Sequence, residues 1–224
     1  MTRFSDEDRR RVTEAVARAE ALSDGEIVTV VAERSDAYHD VALHWALLAM
    51  LLVPAAFAAA PEGWFDWMGG LLLGWNGELT RPLLMLLLAV KLAAVFLLVR
   101  FALAWTPLRM ALTPGATKSR RVARRALMLF RVAAEKKTHG RTGVLLYLSL
   151  QERRAEIVAD QAIHSKVAED VWGEAMALLV EHVRDGRPGE GMALAVEKIG
   201  AVLAATLPKT LGDPNQLPDR LLEI

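Results

Sequence analysis

Two long apolar runs interrupt a chain whose other segments mix apolar and polar positions with helical or strand spacing. Residues 41–60 carry no formal charge, and residues 83–105 form a second apolar run that contains Lys91. At a rise of roughly 1.5 Å per residue, each run covers about 30 Å, the thickness of the hydrocarbon core of a bilayer. The pattern predicts a two-helix transmembrane hairpin over residues 41–105, with a tryptophan-rich interfacial loop at residues 61–82.

The flank before the hairpin predicts one helix and one strand. Ser5 and Asp8 form a capping-box pattern, and apolar residues at helical spacing follow them. Gly25 ends this unit, and "EIVTVVAER" then has the nearly continuous β-branched composition of a buried strand. Because one helix and one strand cannot close a hydrophobic core, the strand needs partners from elsewhere in the chain.

The flank after the hairpin supplies the missing elements. It predicts a helix, two strands that form an antiparallel hairpin around the turn "QERR", and two further helices. We expect the first strand to pair with "GVLLYLSL" and to form a small mixed sheet sandwiched by helices, which is an α/β fold. The transmembrane hairpin is then inserted after the first strand. Residues 1–40 and 114–208 form the split domain. Residues 209–224 are expected to form a flexible tail, with the alternative that its last segment, "LPDRLLEI", docks on the protein.

The distribution of Lys and Arg predicts the orientation of the hairpin. Arg81 is the single basic residue of the predicted loop at residues 61–82, whereas both flanks are rich in arginine. By the positive-inside rule, this predicts a protein of the bacterial inner membrane with two spans and both termini cytoplasmic. The first 25 residues lack the apolar core of a secretory signal, so we expect targeting to come from the internal spans.

Three segments of the flanks carry a family resemblance. They are "SDGEIVTVVAERSDAY", "RTGVLLYLSLQERRAEIVADQAIH" and "VWGEAMALLVEHVRDGRPGEGMALAVEKIG". Together they resemble a bacterial, membrane-inserted branch of the TPM-domain family, over roughly residues 5–40 and 117–207. The resemblance implies an α/β sandwich. For some members it implies phosphatase activity or metal binding, and for others a role in assembly or upkeep of membrane complexes.

An acidic and histidine-containing edge of the predicted sheet is the candidate metal site. The topology brings Asp24, Glu26, Asp160 and His164 to the same end of the strands. Carboxylates are the ligands that hard divalent cations prefer, and a nearby histidine could act as an acid or base. The alternative is that Asp24 and Asp160 cap helices or turns while the histidines, including His139, are solvated.

A cluster of arginines at the other end of the sheet predicts a lipid-facing basic patch. Basic side chains beside an anionic leaflet each contribute about 1 kcal/mol to binding. Nucleic-acid binding is less favoured, because aromatic interleaving and a known binding module are missing and the formal net charge is zero. The patch consists of Arg120, Arg121, Arg124, Arg125, Arg153 and Arg154.

Composition and motifs favour a role other than catalysis. The chain has no cysteine, which excludes disulfides, thiolate catalysis and zinc–thiolate sites. It also has no HExxH, GxSxG or P-loop motif. The first hypothesis is therefore a cytoplasmic α/β domain that acts as an interaction or assembly module for other membrane proteins. The alternative is a metal-assisted, phosphatase-like hydrolase that uses the acidic and histidine-containing edge and a divalent cation.

Lys91 motivates a third hypothesis, because a charge inside a predicted span is costly. Two spans cannot form a pore, so transport would require a homo-oligomer of hairpins with Lys91 along a pathway. The structural alternative is that Lys91 reaches the outer interface or pairs with a carboxylate of the loop.

Overall fold

The computed structural model contains two compact units, and it describes residues 4–73, 80–133, 142–167, 169–210 and 219–224. The α/β unit comprises residues 1–37 and 114–224, and the hairpin unit comprises residues 38–113. In chain order the elements are α1 (Asp6–Glu20), β1 (Glu26–Ala32), α2 (His39–Ala58), α3 (Glu62–Leu73), α4 (Arg81–Ala102), α5 (Thr106–Leu112), α6 (Gly115–Ala133), β2 (Gly143–Ser149), β3 (Arg154–Ala159), α7 (Gln161–His164), α8 (Glu169–Arg184), α9 (Pro188–Thr206) and β4 (Leu222–Glu223).

Within the described residues, the α/β unit has a four-stranded sheet in the order β3-β2-β1-β4. Strands β1 and β2 pair in parallel, with Glu26 opposite Gly143 and Ala32 opposite Ser149. Strands β2 and β3 form the antiparallel hairpin around residues 150–153. The α/β class, the mixed sheet and the distant partner of the first strand are therefore confirmed.

Helices cover both faces of this sheet. On one face, Ile27 and Val31 of β1 lie in a core formed with α1, α8 and α9. On the other face, Val28 and Val30 pack against α6. Every residue of β1 and β2 is buried, which explains why both strands have a continuous rather than an alternating apolar pattern.

The end of the chain differs from the flexible tail that its composition predicts. Strand β4 pairs in parallel with β1, and the backbone N–H of Ile224 donates to the carbonyl of Val31 at 3.0 Å. Leu221 lies in the core, and Glu223 forms an ion pair with Arg9 of α1. The physical reason is that this edge of β1 has free backbone groups, which a short strand can satisfy. Residues 211–218 lie outside the described residues.

Two long apolar helices, α2 and α4, pack against each other in the hairpin unit. Among the described residues, these two are long and apolar enough to cross a membrane, with 20 and 22 residues and mean hydropathies of 2.1 and 2.6. Only 17% of the apolar window of α2 and 0% of that of α4 are buried. The core helix of a soluble protein would instead bury most of its apolar surface. The exposed side chains include Leu51, Leu52, Met85, Leu86, Leu98 and Phe101.

The segment between these two helices is partly helical, since α3 occupies the first half of the predicted interfacial loop. Residues 74–79 lie outside the described residues. The Nζ atom of Lys91 is 4.7 Å from the ring centre of Phe57 and 5.5 Å from that of Trp64. A cation over an aromatic face is attracted by the ring quadrupole. Lys91 therefore has a partner within the hairpin unit that the sequence pattern did not predict.

Candidate functional site

The predicted metal-site residue Asp160 closes one end of the β2–β3 hairpin. Its backbone N–H donates to the carbonyl of Gly143 at 3.0 Å. Its Oδ2 accepts the backbone N–H of Gly143 at 2.9 Å, and the residue is only 6% exposed. The carboxylate therefore satisfies a buried backbone donor at the start of β2.

The other predicted metal-site residues do not converge on a common point. Asp24 accepts hydrogen bonds from the backbone N–H of Thr210 at 2.9 Å and from its hydroxyl at 2.6 Å, and these bonds lower the pKa of Asp24. His164 is exposed at the end of α7. In the part of the chain that the structure describes, no group of three or more His, Asp or Glu side chains could hold a metal ion. His139 and Arg141 lie outside the described residues.

Glu26 belongs to a buried acidic cluster that the sequence pattern did not predict. It is 4% exposed and lies near Glu20, which is 8% exposed at the end of α1. Burial raises the pKa of Glu20 to about 8, and the carboxyl groups of Glu26 and Asp219 raise it as well. The backbone N–H of Ile27 donates to Glu20 at 2.8 Å and acts in the opposite direction. The cluster therefore links α1, β1 and the residues just before β4.

The opposite end of the sheet has a polar network that is satisfied internally. The hydroxyl groups of Ser35 and Tyr147 lie 2.9 Å apart, and burial raises the pKa of Tyr147. Glu152, in the β2–β3 turn, accepts the backbone N–H of Ser35 at 2.9 Å and the hydroxyl of Ser149. These bonds hold the turn against the segment that follows β1. We assign them a structural role.

The predicted basic patch divides into residues with different surroundings. Arg121 forms an ion pair with Asp36 at 3.1 Å. Arg120 lies on α6 and contacts the carbonyl of Ala116 and the hydroxyl of Thr117 at the outer limit of a hydrogen bond. The patch therefore does not act as one uniform surface. Arg124 is exposed, Arg125 is half-buried and contacts the sulfur of Met128, and Arg153 and Arg154 line a cleft.

The cleft has a volume of about 290 Å³ and lies beside β3, between α6 and α8. We call it the edge cleft, because β3 is at the edge of the sheet in the described residues. Met176, Val180 and Arg184 form its α8 wall, since a spacing of four places them on one helix face. The full lining is Ser119, Val122, Glu152, Arg153, Arg154, Ala155, Glu156, Met176, Val180 and Arg184.

The edge cleft has an excess of unpaired positive charge. Among the described residues, the guanidinium groups of Arg153, Arg154 and Arg184 have no ion-pair or hydrogen-bond partner. Arg153 has φ +50°, a left-handed conformation that the tight turn imposes. Glu152 and Glu156 also line the cleft, and burial raises the pKa of Glu156. Arg184 and Glu156 were not among the residues predicted to form a site. The signal for Glu156 was a single acidic residue inside the apolar strand "AEIVA".

The backbone of β3 is also open on the side away from β2, and the first three residues of the strand, Arg154, Ala155 and Glu156, line the edge cleft. Asp160 bonds to Gly143, and in an antiparallel pair every second residue bonds to the partner strand. Ala155, Ile157 and Ala159 therefore direct their N–H and C=O groups away from β2. In the described part of the chain, no hydrogen bond reaches these groups.

Comparisons with known proteins agree with this architecture. Residues 109–202, which include the whole lining of the edge cleft, match the family model described as the TPM domain. The structure is similar to the NMR structure of the BA42 protein from the psychrophilic bacterium Bizionia argentinensis sp. nov.. The TM-score is 0.56 at 15% identity, over 99% of this chain and 95% of that chain, so the likeness shows the fold alone. A search of the curated proteins found no match. Residues 109–202 of this chain are therefore similar to the TPM domain, and the edge cleft lies within the matched segment.

Proposed function

We propose that this chain is a membrane-anchored docking protein, in which the hairpin unit is the anchor and the α/β unit binds another membrane protein. The observation that carries this proposal is the edge cleft, where an open strand edge lies beside three unpaired guanidinium groups. Open strand edges pair readily with other chains, and proteins that do not use them usually cover them. At the opposite edge β4 covers part of β1, so the open β3 edge is the available surface.

We place the protein in the bacterial inner membrane, with two spans and both termini cytoplasmic, as a member of a membrane-inserted branch of the TPM family. Helices α2 and α4 support this placement through their length and their low burial. The excess of arginine in the α/β unit over the segment between the two helices supports the orientation. A docking domain on this side would meet the cytoplasmic parts of other membrane proteins.

We also propose that the anionic lipid surface is a second partner. Arg120 and Arg124 lie on α6 without a carboxylate partner among the described residues. The Arg121–Asp36 ion pair places α6 next to the segment where the chain leaves β1 for the hairpin unit. Basic side chains near an anionic leaflet contribute about 1 kcal/mol each, which would orient the domain without defining its protein partner.

The metal-assisted phosphatase alternative has less support. It needs carboxylates that are free to bind a cation, but Asp24 and Asp160 are occupied by hydrogen bonds to the protein itself. His164 is exposed at the end of α7, and no group of three or more His, Asp or Glu side chains among the described residues could hold a metal ion. The docking function needs no such cluster, and it uses groups that have no partner within the described residues.

Site-specific photo-crosslinking in native membranes tests the docking function. A crosslinking amino acid at Val180, in the wall of the edge cleft, should give one defined adduct with another membrane protein. The adduct should disappear with Arg184→Glu, because the charge that attracts the partner is reversed. It should persist with Arg131→Glu, an exposed arginine at the far end of α6, about 18 Å along the helix from Ser119.

A second position controls for random collisions. Val132 is 72% exposed on α6 and lies outside the edge cleft. If Val132 gave the same adducts as Val180, or if Arg184→Glu left the Val180 adduct unchanged, the docking function would be wrong.

A further inference from the structure

We infer that the occupant of the edge cleft is an acidic, extended segment of the partner that adds to β3 as a further strand. This inference rests on the proposed function and specifies the chemistry of the partner. Its basis is the juxtaposition of an open strand edge, unpaired arginines and an apolar helix wall within one cleft.

The first requirement for strand addition is an accessible row of backbone donors and acceptors. Ala155, Ile157 and Ala159 provide such a row, spaced by two residues along β3. The strand has six residues and is therefore about 20 Å long, which matches an average strand of a partner. Since β3 contacts both α6 and α8, an added strand would extend the sheet along the outer edge of β3, and its part beside Arg154, Ala155 and Glu156 would lie in the cleft.

The positive charge of the arginines that line the cleft favours an acidic segment of the partner. Arg153 directly precedes β3, Arg154 begins it and Arg184 ends α8, and all three line the cleft. Glu152 lines the cleft as well, but its carboxylate already accepts bonds from Ser35 and Ser149. A carboxylate of the partner would therefore meet arginines that have no competing partner within the described residues.

The apolar wall explains why a segment of mixed composition fits best. Met176 and Val180 line the cleft from α8, and Val122 lines it from α6. Side chains alternate between the two faces of an added strand, so those on one face would meet Met176, Val180 and Arg184 of α8, where apolar and acidic residues both have a partner. A small phosphorylated ligand would satisfy the arginines, but it would leave the strand edge and the apolar wall unused.

A second copy of this chain is a poor occupant of the same cleft. Two copies paired around a two-fold axis would have antiparallel β3 strands, so the arginines at the start of one strand would lie opposite the end of the other. Such pairing would bury guanidinium groups of both copies without supplying a carboxylate partner, which is costly. An acidic segment from a different protein has no such penalty.

Binding of three synthetic peptides to the full chain in detergent micelles tests this inference. The probes are an eight-residue peptide with the repeat Glu-Glu-Val-Val, which places both residue types on each face of a strand, its Lys and Val counterpart, and the acidic peptide with alternate backbone amides N-methylated. Fluorescence anisotropy gives each dissociation constant. We expect the acidic peptide to bind at least about tenfold more tightly than the basic peptide, because charge complementarity selects the partner. N-methylation should weaken binding to a similar extent, since it removes strand hydrogen bonds.

Variants of the protein localise the binding. Arg154→Glu and Arg184→Glu should each weaken binding of the acidic peptide about tenfold, whereas the matched control Arg131→Glu should leave it unchanged. Equal binding of the N-methylated and unmodified peptides would overturn strand addition. Equal binding of the acidic and basic peptides would overturn the assignment of charge. Inorganic phosphate that binds in an Arg154-dependent manner, with no peptide binding, would assign the cleft to a phosphorylated ligand and would also overturn the inference.

The two proposals can fail separately. If the Val180 adduct forms in membranes and depends on Arg184, but none of the peptides binds as described, the docking function stands and the acidic-strand inference is wrong. If no adduct forms, the docking function fails whatever the peptides do.

Discussion

At the scale of single residues, Glu20 shows how the fold can give a side chain a property that its sequence context does not suggest. It ends α1, a position where an exposed carboxylate would be ordinary. In the structure it is 8% exposed and lies near Glu26 and Asp219. Its burial depends on the segment that leads to β4, nearly 200 residues away in the sequence. No local pattern could reveal this contact.

We predict that Glu20→Gln removes a pH dependence of stability. The pKa of Glu20 is about 8 in the folded state and 4.5 in the unfolded reference, so the folded state binds this proton more tightly. The stabilising contribution of the proton is complete below pH 4.5 and is lost as pH rises through about 8. Glutamine stays neutral and can still accept the N–H of Ile27. The free energy of unfolding of the variant should match that of the wild type near pH 4 and exceed it at about pH 9.

Denaturant unfolding of the full chain in detergent micelles across this pH range measures the effect. Parallel curves for the wild type and Glu20→Gln would show that Glu20 titrates normally in the folded protein. They would also contradict its burial beneath the end of the chain.

At the scale of secondary-structure elements, the sequence pattern predicted features that depend on neighbouring residues, such as the capping box of α1. The capping box is present: the Ser5 hydroxyl accepts the N–H of Asp8 at 3.0 Å, and the Asp8 carboxylate accepts the N–H of Ser5 at 3.0 Å. The pairing of β1 with β2 was also predictable, because an apolar strand next to a predicted span needs a partner. Strand β4 was not predictable, because two residues carry no periodicity. The edge cleft was not predictable either. Arg154 and Arg184 are 30 residues apart in the sequence, and they line the same cleft only because α8 packs against β3.

We predict that the packing of α1 against α9 depends on a glycine. A Cβ atom at Gly200 would lie 2.5 Å from the Cβ of Ala19 and 3.1 Å from its Cα, so the helices would have to separate. Gly200→Ala should therefore lower the free energy of unfolding by about 1–3 kcal/mol, the typical cost of overpacking a core. At Gly173, in α8, a Cβ atom would meet no atom of the described residues within 4 Å. Gly173→Ala should therefore raise the free energy of unfolding by about 0.5–1 kcal/mol through helix propensity.

Thermal unfolding of the two variants beside the wild type checks this prediction. Opposite shifts of the midpoint are expected. Shifts in the same direction would mean that α1 and α9 do not approach as closely as the structure shows.

At the scale of the whole molecule, apolar and charged residues are segregated between two units. The hairpin unit exposes large apolar side chains along α2 and α4, while the α/β unit buries its apolar residues on both faces of the sheet. This segregation is what we expect if the hairpin unit lies in a bilayer and the α/β unit lies in water, as we propose. The sequence predicted this division well because it depends on long runs of residues rather than on particular contacts.

Cysteine labelling tests most directly whether two spans hold the α/β unit on the cytoplasmic side of a membrane, as we propose. The chain has no cysteine, so each introduced cysteine is a unique probe. Thr80 precedes α4, and Val132 is 72% exposed in the α/β unit. A membrane-impermeant maleimide should label Thr80→Cys in cells whose inner membrane is intact, and it should label Val132→Cys only after that membrane is opened. Labelling of Val132→Cys in the intact cells, or recovery of the protein in the soluble fraction, would contradict this topology.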